Sequence, residues 1–212
     1  GGNRNIVAEL FADDVQYNRS SLQSRTYAEI MFLNDFKFSV SANIGYSPYS
    51  GYNYSSNKIG VNAPSGTSSR SNRVNSSQTF QQLLSYNKSF SDMHEIDVVA
   101  GHESYQVKTE QSNVARRGQI MDGNIELSNF TEITQAITSR SEHRSEGYLM
   151  RANYSYDRGR YSIESSFRRD GTSKFHRDVR WGNFWSTGAS WNIARESFME
   201  DIAWLDNLKF RA

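Results

Sequence analysis

Cysteine is absent from the 212 residues, which excludes a disulfide scaffold and any thiolate metal site. An excess of one charge is missing too: 24 Lys and Arg stand against 23 Asp and Glu, for a net charge of +1. That balance gives no electrostatic case for nucleic acid, which calls for a clustered basic excess. No apolar run approaches the ~20 residues of a membrane helix. No signal peptide opens the chain, which begins Gly-Gly without Met and reads as a mature or excised segment. Proline occurs only twice. The apolar fraction is 36% and the mean hydropathy −0.73, values that look too hydrophilic for a membrane protein. What the chain does have is 13% aromatic residues, 32 Ser and 18 Asn. Disordered chains are aromatic-poor, so this composition suits β-structure with one wet and one apolar face. A β-barrel remains open on these grounds, because barrels place apolar residues only at every second position.

Alternation of period two is the dominant local pattern. Phe36, Phe38, Val40, Ala42, Ile44 and Tyr46 alternate with Lys37, Ser39, Ser41, Asn43 and Gly45. Such alternation puts one strand face in an apolar environment and the other in water. The pattern returns at Tyr148, Met150, Ala152, Tyr154 and Tyr156, at Tyr161, Ile163 and Phe167, and at Trp185, Ala189, Trp191 and Ile193. Segments 25–34, 76–90 and 94–110 read as further strands, and Leu208, Phe210 and Ala212 begin an eighth. Tight hairpins are expected at Asn34-Asp35, Ser91-Asp92-Met93 and Asp157-Arg158-Gly159. The connections 49–75, 111–142 and 171–181 are expected to be long exposed loops. Short and long connections alternate, as they do in outer-membrane barrels. Strands of 11–15 residues exceed the ~5–6 of globular proteins and meet the ~9–11 needed to cross a bilayer. Tyr46, Tyr49, Tyr52, Tyr54, Trp181, Phe184 and Trp185 gather at the long-loop end, as an interfacial girdle would.

Catalytic and metal chemistry find no support in the residue pattern. His94, His102, His143 and His176 show no i,i+4 pairing, so a zinc site is not expected. There is no phosphate-cradling glycine loop, nucleophile elbow or EF-hand spacing, and no cofactor is expected. Carboxylate pairs such as Glu126 with Glu132, or Asp170 with Asp178, read as solvated loop charges. Six Asn-x-Ser/Thr triplets, Asn53 and Asn129 among them, are accounted for by the Ser and Asn content alone. Arg151, Glu164 and Arg168 occupy polar strand faces. They fit ion pairs between adjacent strands of a hydrated wall, with ligand contact as the sharper alternative. Tyr49, Tyr52 and Tyr54 fit either ligand stacking or the aromatic girdle.

The C-terminal third carries a specific signature. Ser166-Phe167-Arg168-Arg169-Asp170-Gly171-Thr172-Ser173-Lys174-Phe175 leads to Arg180-Trp181-Gly182-Asn183-Phe184-Trp185-Ser186, then to Gly188-Ala189-Ser190-Trp191. Glu196-Ser197-Phe198-Met199 and Trp204-Leu205-Asp206-Asn207-Leu208-Lys209-Phe210-Arg211-Ala212 follow. This series closely resembles the SusC/RagA family of TonB-dependent outer-membrane transporters of Bacteroidota. Weaker echoes lie at Val7–Leu10, at the Tyr27–Phe38 hairpin, and at Leu84–Phe90 with Ala100–Glu103. The resemblance marks Arg168, Arg169, Asp170, Gly171, Trp181, Gly182, Trp185 and Trp191 as family-motif structural residues. Trp185 and Trp191, six apart, share a strand face.

The resemblance implies an all-β fold, an antiparallel transmembrane β-barrel segment of about eight strands within a barrel of about 22. It implies that residues 1–212 are an internal barrel piece, with the plug domain and the remaining strands absent from it. It further implies glycan or peptide import across the outer membrane, a SusD-like surface lipoprotein partner, and energisation by TonB–ExbB–ExbD through the plug region. No enzymatic activity is implied. A soluble β-sandwich that binds carbohydrate is the alternative; it predicts an enclosed core and a cooperatively folding monomer.

Overall fold

The computed structural model describes residues 6–199, 204, 205 and 207–212. Asp206 of the C-terminal motif lies outside the described residues. A short helix, α1 (Ile6–Ala12), precedes nine strands. These are β1 (Asp14–Arg19), β2 (Leu22–Phe32), β3 (Phe36–Ser55), β4 (Thr67–Phe90) and β5 (His94–Gln119), followed by β6 (Phe130–Tyr156), β7 (Tyr161–Thr172), β8 (Trp181–Asn192) and β9 (Lys209–Arg211). They form one antiparallel sheet in the order β1-β3-β4-β5-β6-β7-β8-β9, with β2 also paired to β3. A single sheet replaces the two packed layers that the sandwich alternative requires. Among the described residues, only Tyr54 and Phe130 are buried apolar side chains, far fewer than the core between two packed sheets would hold.

The strands are longer than the alternation indicates, and three expectations change. β1 is an additional strand, making nine where eight were expected. The expected loop 49–75 is mostly strand: β3 runs to Ser55 and β4 starts at Thr67. The expected loop 111–142 is likewise strand, since β5 runs to Gln119 and β6 begins at Phe130. Tyr49, Tyr52 and Tyr54 therefore sit in β3 and not in a loop. The physical reason is compositional. Segments such as TSSRSNRVNSS are polar at every position but Val74, and a strand so nearly uniform leaves no hydropathy alternation to read.

The tight hairpins fall where the turn residues sit. Leu33 and Asn34 have φ of 51° and 60°, and Ser91 and Asp92 have 53° and 55°. Asp157 and Arg158 follow at 49° and 51°, with Gly159 at 89°. Positive φ at both central positions matches the right-handed twist of flanking strands. Each turn closes with a short main-chain bond, for example Met93 N–H donating to Phe90 O at 3.2 Å.

The described chain divides into two compact units. One comprises described residues up to 24, with 44–77 and 107–142; the other comprises 25–43, 78–106 and the residues from 143 onward. In the first unit a small core forms beneath the 120–129 connection. Phe130 is 1% exposed and meets the edge of Tyr54, with ring centroids 6.5 Å apart. The Tyr54 hydroxyl donates to Gln119 Oε1 at 3.0 Å, and fully buried Ser68 donates to the Ile125 carbonyl at 2.7 Å. Asn129, also buried, donates to the carbonyls of Met121 and Asn124, both at 2.7 Å. Its side chain is spent on holding this connection, so the triplet there is structural.

Candidate functional site: the two faces of the strand wall

Registration in the second unit shows how the motif residues are positioned. Directly opposed residues of neighbouring strands share a face. Across β6, β7 and β8 one such row reads Met150, Phe167, Trp185 and another Tyr154, Ile163, Ala189. A third continues from Tyr156 through Tyr161 and Trp191 to Phe210 of β9. The intervening rows read Arg151, Ser166, Ser186, then Asn153, Glu164, Gly188, then Ser155, Ser162, Ser190, Arg211. One face is thus apolar and aromatic over four strands, and the other polar. The two hydroxyls in the apolar row Ala152, Ser165, Thr187 satisfy each other, Ser165 Oγ lying 3.1 Å from Thr187 Oγ1.

Aromatic side chains bracket the apolar face at both ends. At one end Trp181 lies 6.1 Å from Tyr148, and the Arg169 guanidinium sits 5.0 Å over its ring. Gly171 opposes Trp181, and the indole covers the glycine so closely that a Cβ there would meet ring carbons at 2.8–2.9 Å. At the other end Tyr161 opposes Trp191, and both donate to Glu196 Oε1, at 2.5 and 2.8 Å. These two donors hold the Glu196 carboxyl below its usual range. Trp181 and Trp191 are ten residues apart on β8, about 34 Å along the strand. At a strand tilt of ~40° that projects to about 25 Å, the height of an outer-membrane apolar band. Trp185 lies between them and is 79% exposed. Phe184 departs from the expected girdle, because it opposes Arg168 on the polar face.

The polar face of the same unit is laced with ion pairs. Arg151 Nη2 lies 2.7 Å from Glu164 Oε1. Arg168 Nε donates to both oxygens of Asp170, at 2.8 and 2.7 Å, two positions along the same strand face. Lys88 pairs with Asp35, and Lys37 lies 3.6 Å from Glu29. Gly182 opposes Asp170. On the opposite face, His102 Nε2 sits 2.9 Å from Glu146 Oε1, in the row of Gly171 and Trp181, and His94 Nδ1 sits 2.7 Å from the Tyr154 hydroxyl. Among the described residues, no three His, Asp or Glu side chains gather as a metal-ligand set.

In the first unit β1 pairs with the end of β3, Arg19 opposing Tyr49 and Tyr17 opposing Gly51. Tyr49 stacks on Tyr17 with centroids 6.0 Å apart, and the Arg19 guanidinium lies 5.8 Å over the Tyr49 ring. The Tyr52 hydroxyl donates to Asp14 Oδ2 at 2.6 Å, with Arg70 4.8 Å over its ring. Tyr54 is turned into the small core. Of the three tyrosines only Tyr49 borders an open cleft, lined by polar side chains of β1, β3, β4, β5 and β6. Arg19 and Arg73 in that cleft were not singled out from sequence. Their signal was available in hindsight as basic residues within Ser- and Asn-rich stretches, but only strand pairing brings them together.

No family model matches the chain. Among curated proteins it is 27% identical over 223 residues to TonB-dependent receptor P39 of Formosa agariphila, covering 97% of this chain and 21% of that receptor. It is 29% identical over 118 residues to TonB-dependent receptor SusC of Bacteroides thetaiotaomicron, covering 56% of this chain and 11% of SusC. The chain thus spans about a fifth or less of the curated relatives it matches. The solved structure of the RagAB peptide transporter superposes with a TM-score of 0.85 at 18% identity, over 95% of this chain and 23% of that one. These relatives are receptors and transporters, not enzymes. In sequence the chain is similar to TonB-dependent receptors of the SusC type, and its fold is that of a β-barrel segment such as the one in the RagAB transporter.

Proposed function

We propose that the chain forms part of the outer-membrane wall of a nutrient importer, its apolar face toward lipid and its polar face toward the lumen. The observation that carries this reading is the register of β6–β9, which gathers the large apolar side chains other than Leu149 and Phe184 on one face between two aromatic rows. The Arg168–Asp170 clamp and the Gly171–Trp181 stack then serve to hold the wall, with Arg169, Gly182, Trp185 and Trp191 completing the same motif. Tyr49, and Arg151 from its place on the polar face, are the side chains offered to a passing ligand, whereas Tyr52 and Tyr54 brace the strands. The plug and the remaining strands come from sequence outside these residues. The proposal extends to import of glycan or peptide oligomers, to energisation through TonB–ExbB–ExbD and to a SusD-like lipoprotein partner; similarity to a TonB-dependent receptor and to a peptide transporter supports it.

The test uses the complete receptor in its own outer membrane. Cell fractionation and uptake of fluorescent maltoheptaose, oligogalacturonate and a peptide ladder are measured with and without a protonophore. The reading expects the protein in the outer-membrane fraction and protonophore-sensitive uptake of at least one probe that a deletion strain lacks. A soluble protein, or uptake indifferent to both the protonophore and the deletion, overturns it.

A further inference from the structure

The cleft beside Tyr49 is electrostatically unlike the rest of the wall. It measures about 750 Å³, and its lining includes Arg19, Tyr49, Arg73, Asn75, Gln111 and Asn113, with no carboxylate among the residues that border it. Elsewhere several strand arginines hold acids, Arg117 holding Glu132, Arg151 holding Glu164 and Arg168 holding Asp170, each at 2.7 Å, while Arg116 donates to main-chain carbonyls and Arg169 lies over the Trp181 ring. Arg19 has only the Tyr49 ring beneath it, and Arg73 has no carboxylate at ion-pair distance among the described residues. Two guanidiniums flanking one groove without counter-charges form a ready site for an anion, since the planar N–H fork matches carboxylate and sulfate oxygens.

The remaining lining narrows the class of ligand. Thr109 Oγ1 donates to Asn75 Oδ1 at 2.8 Å, which commits the amide oxygen and leaves the N–H₂ of this lining residue as the donor it can offer. Gln111 and Asn113 add both donors and acceptors, the pairing that vicinal sugar hydroxyls require. A peptide of mixed sequence would need apolar sub-pockets and an acid for its amino-terminus or lysines, and the groove provides neither. Resting on the import reading above, we infer that this cleft recognises an anionic glycan, a chain of sugars bearing carboxylate or sulfate groups, through Arg19 and Arg73.

Isothermal titration on the purified complete receptor tests this with three probes: oligogalacturonate, its fully methyl-esterified form, and octaglutamate. The expected result is at least tenfold tighter binding of the acid than of the ester, weakening with salt. Arg19→Gln with Arg73→Gln should abolish that preference and leave ester binding within twofold, the unchanged barrel being checked by its heat-modifiable migration. Sulfated oligosaccharide of equal length should compete with oligogalacturonate for the same site, and its binding should fall at least tenfold in the double variant as well. Equal affinity for acid and ester, octaglutamate bound as tightly as the glycan, or a double variant with its preference intact overturns the inference. Protonophore-sensitive uptake continuing in that variant would leave the import reading standing while this one falls.

Discussion

An arginine placed at Ala152 or at Asn153 tests the two-faced wall through adjacent residues of one strand. Ala152 lies in the apolar row with Ser165, four residues from Tyr148 and four from Tyr156, so it sits near the middle of the bracketed band. An arginine at the lipid-facing midplane of a barrel costs about 2–4 kcal/mol. At 1.4 kcal/mol per factor of ten, that is a ~30- to 900-fold loss in the folding equilibrium. Asn153 opposes Glu164, which already accepts Arg151, and its own Oδ1 is buried without a protein partner. Asn153→Arg therefore offers a second cation to Glu164 and removes that unpaired acceptor, and its effect should stay within about 0.5 kcal/mol. The assay is urea unfolding of the complete receptor reconstituted in liposomes, followed by tryptophan fluorescence, with outer-membrane abundance in cells as a second readout. Ala152→Arg should lower both and Asn153→Arg should lower neither. Equal loss from both variants, or a larger loss from Asn153→Arg, would refute the facing of β6 and with it the lumenal role of Arg151.

Gly171→Ala places a Cβ at 2.8–2.9 Å from the Trp181 ring. The indole must move, at a cost of about 1–3 kcal/mol, seen as a lower unfolding midpoint; an unchanged midpoint would contradict the stack. Leu33 is 75% exposed and holds φ at 51°, a conformation that costs a bulky residue about 1 kcal/mol or more and that Asn tolerates. Leu33→Asn should therefore stabilise the β2–β3 hairpin by about 1 kcal/mol, measured by urea midpoint, and a decrease would speak against the turn geometry. Outside the strands, Asp122 accepts from Lys58 and from Asn57, which lowers its carboxyl pKa. A lowered folded pKa contributes stability that is present above the ordinary aspartate range and is lost as pH falls through the folded value. Amide exchange in the 120–129 connection should accordingly be slow at pH 6 and quicken, after correction for intrinsic rates, as the pH falls below the ordinary aspartate range. No such acid loosening, or its persistence in Asp122→Asn, would remove that pair from the account.

The parts of the fold that face two different solvents were legible in sequence. Phe36 to Tyr46, Tyr148 to Tyr156 and Trp185 to Trp191 alternate because one side of each strand is apolar, and from β6 to β8 the structure keeps those sides in register. The turns at Ser91-Asp92 and Asp157–Gly159 were legible because few residues accept positive φ. Illegible were Tyr49 to Ser55, Thr67 to Asn75, Gln111 to Gln119 and Phe130 to Glu142, strands rich in Ser, Asn, Gln and charge. Hydrogen bonding to neighbours, not hydropathy, makes these strands, and pairing partners far apart in sequence leave no local trace. The Arg19–Arg73 cleft was hidden for the same reason, its residues coming from five strands. The motif around Arg168–Gly171 was visible as a signature, but its physics emerged only with Trp181 laid on Gly171 and Asp170 clasped by Arg168.

The chain contains no cysteine, so single cysteines placed on β8 in a receptor free of other reactive thiols report each face cleanly. Fluorophore-labelled cysteines at 185, 187 and 189, and at 186, 188 and 190, are compared in outer-membrane vesicles for quenching by a lipid-tethered nitroxide and by aqueous iodide. The account predicts lipid quenching at the odd positions and iodide quenching at the even ones, alternating residue by residue. Uniform quenching by either agent along the strand would contradict it.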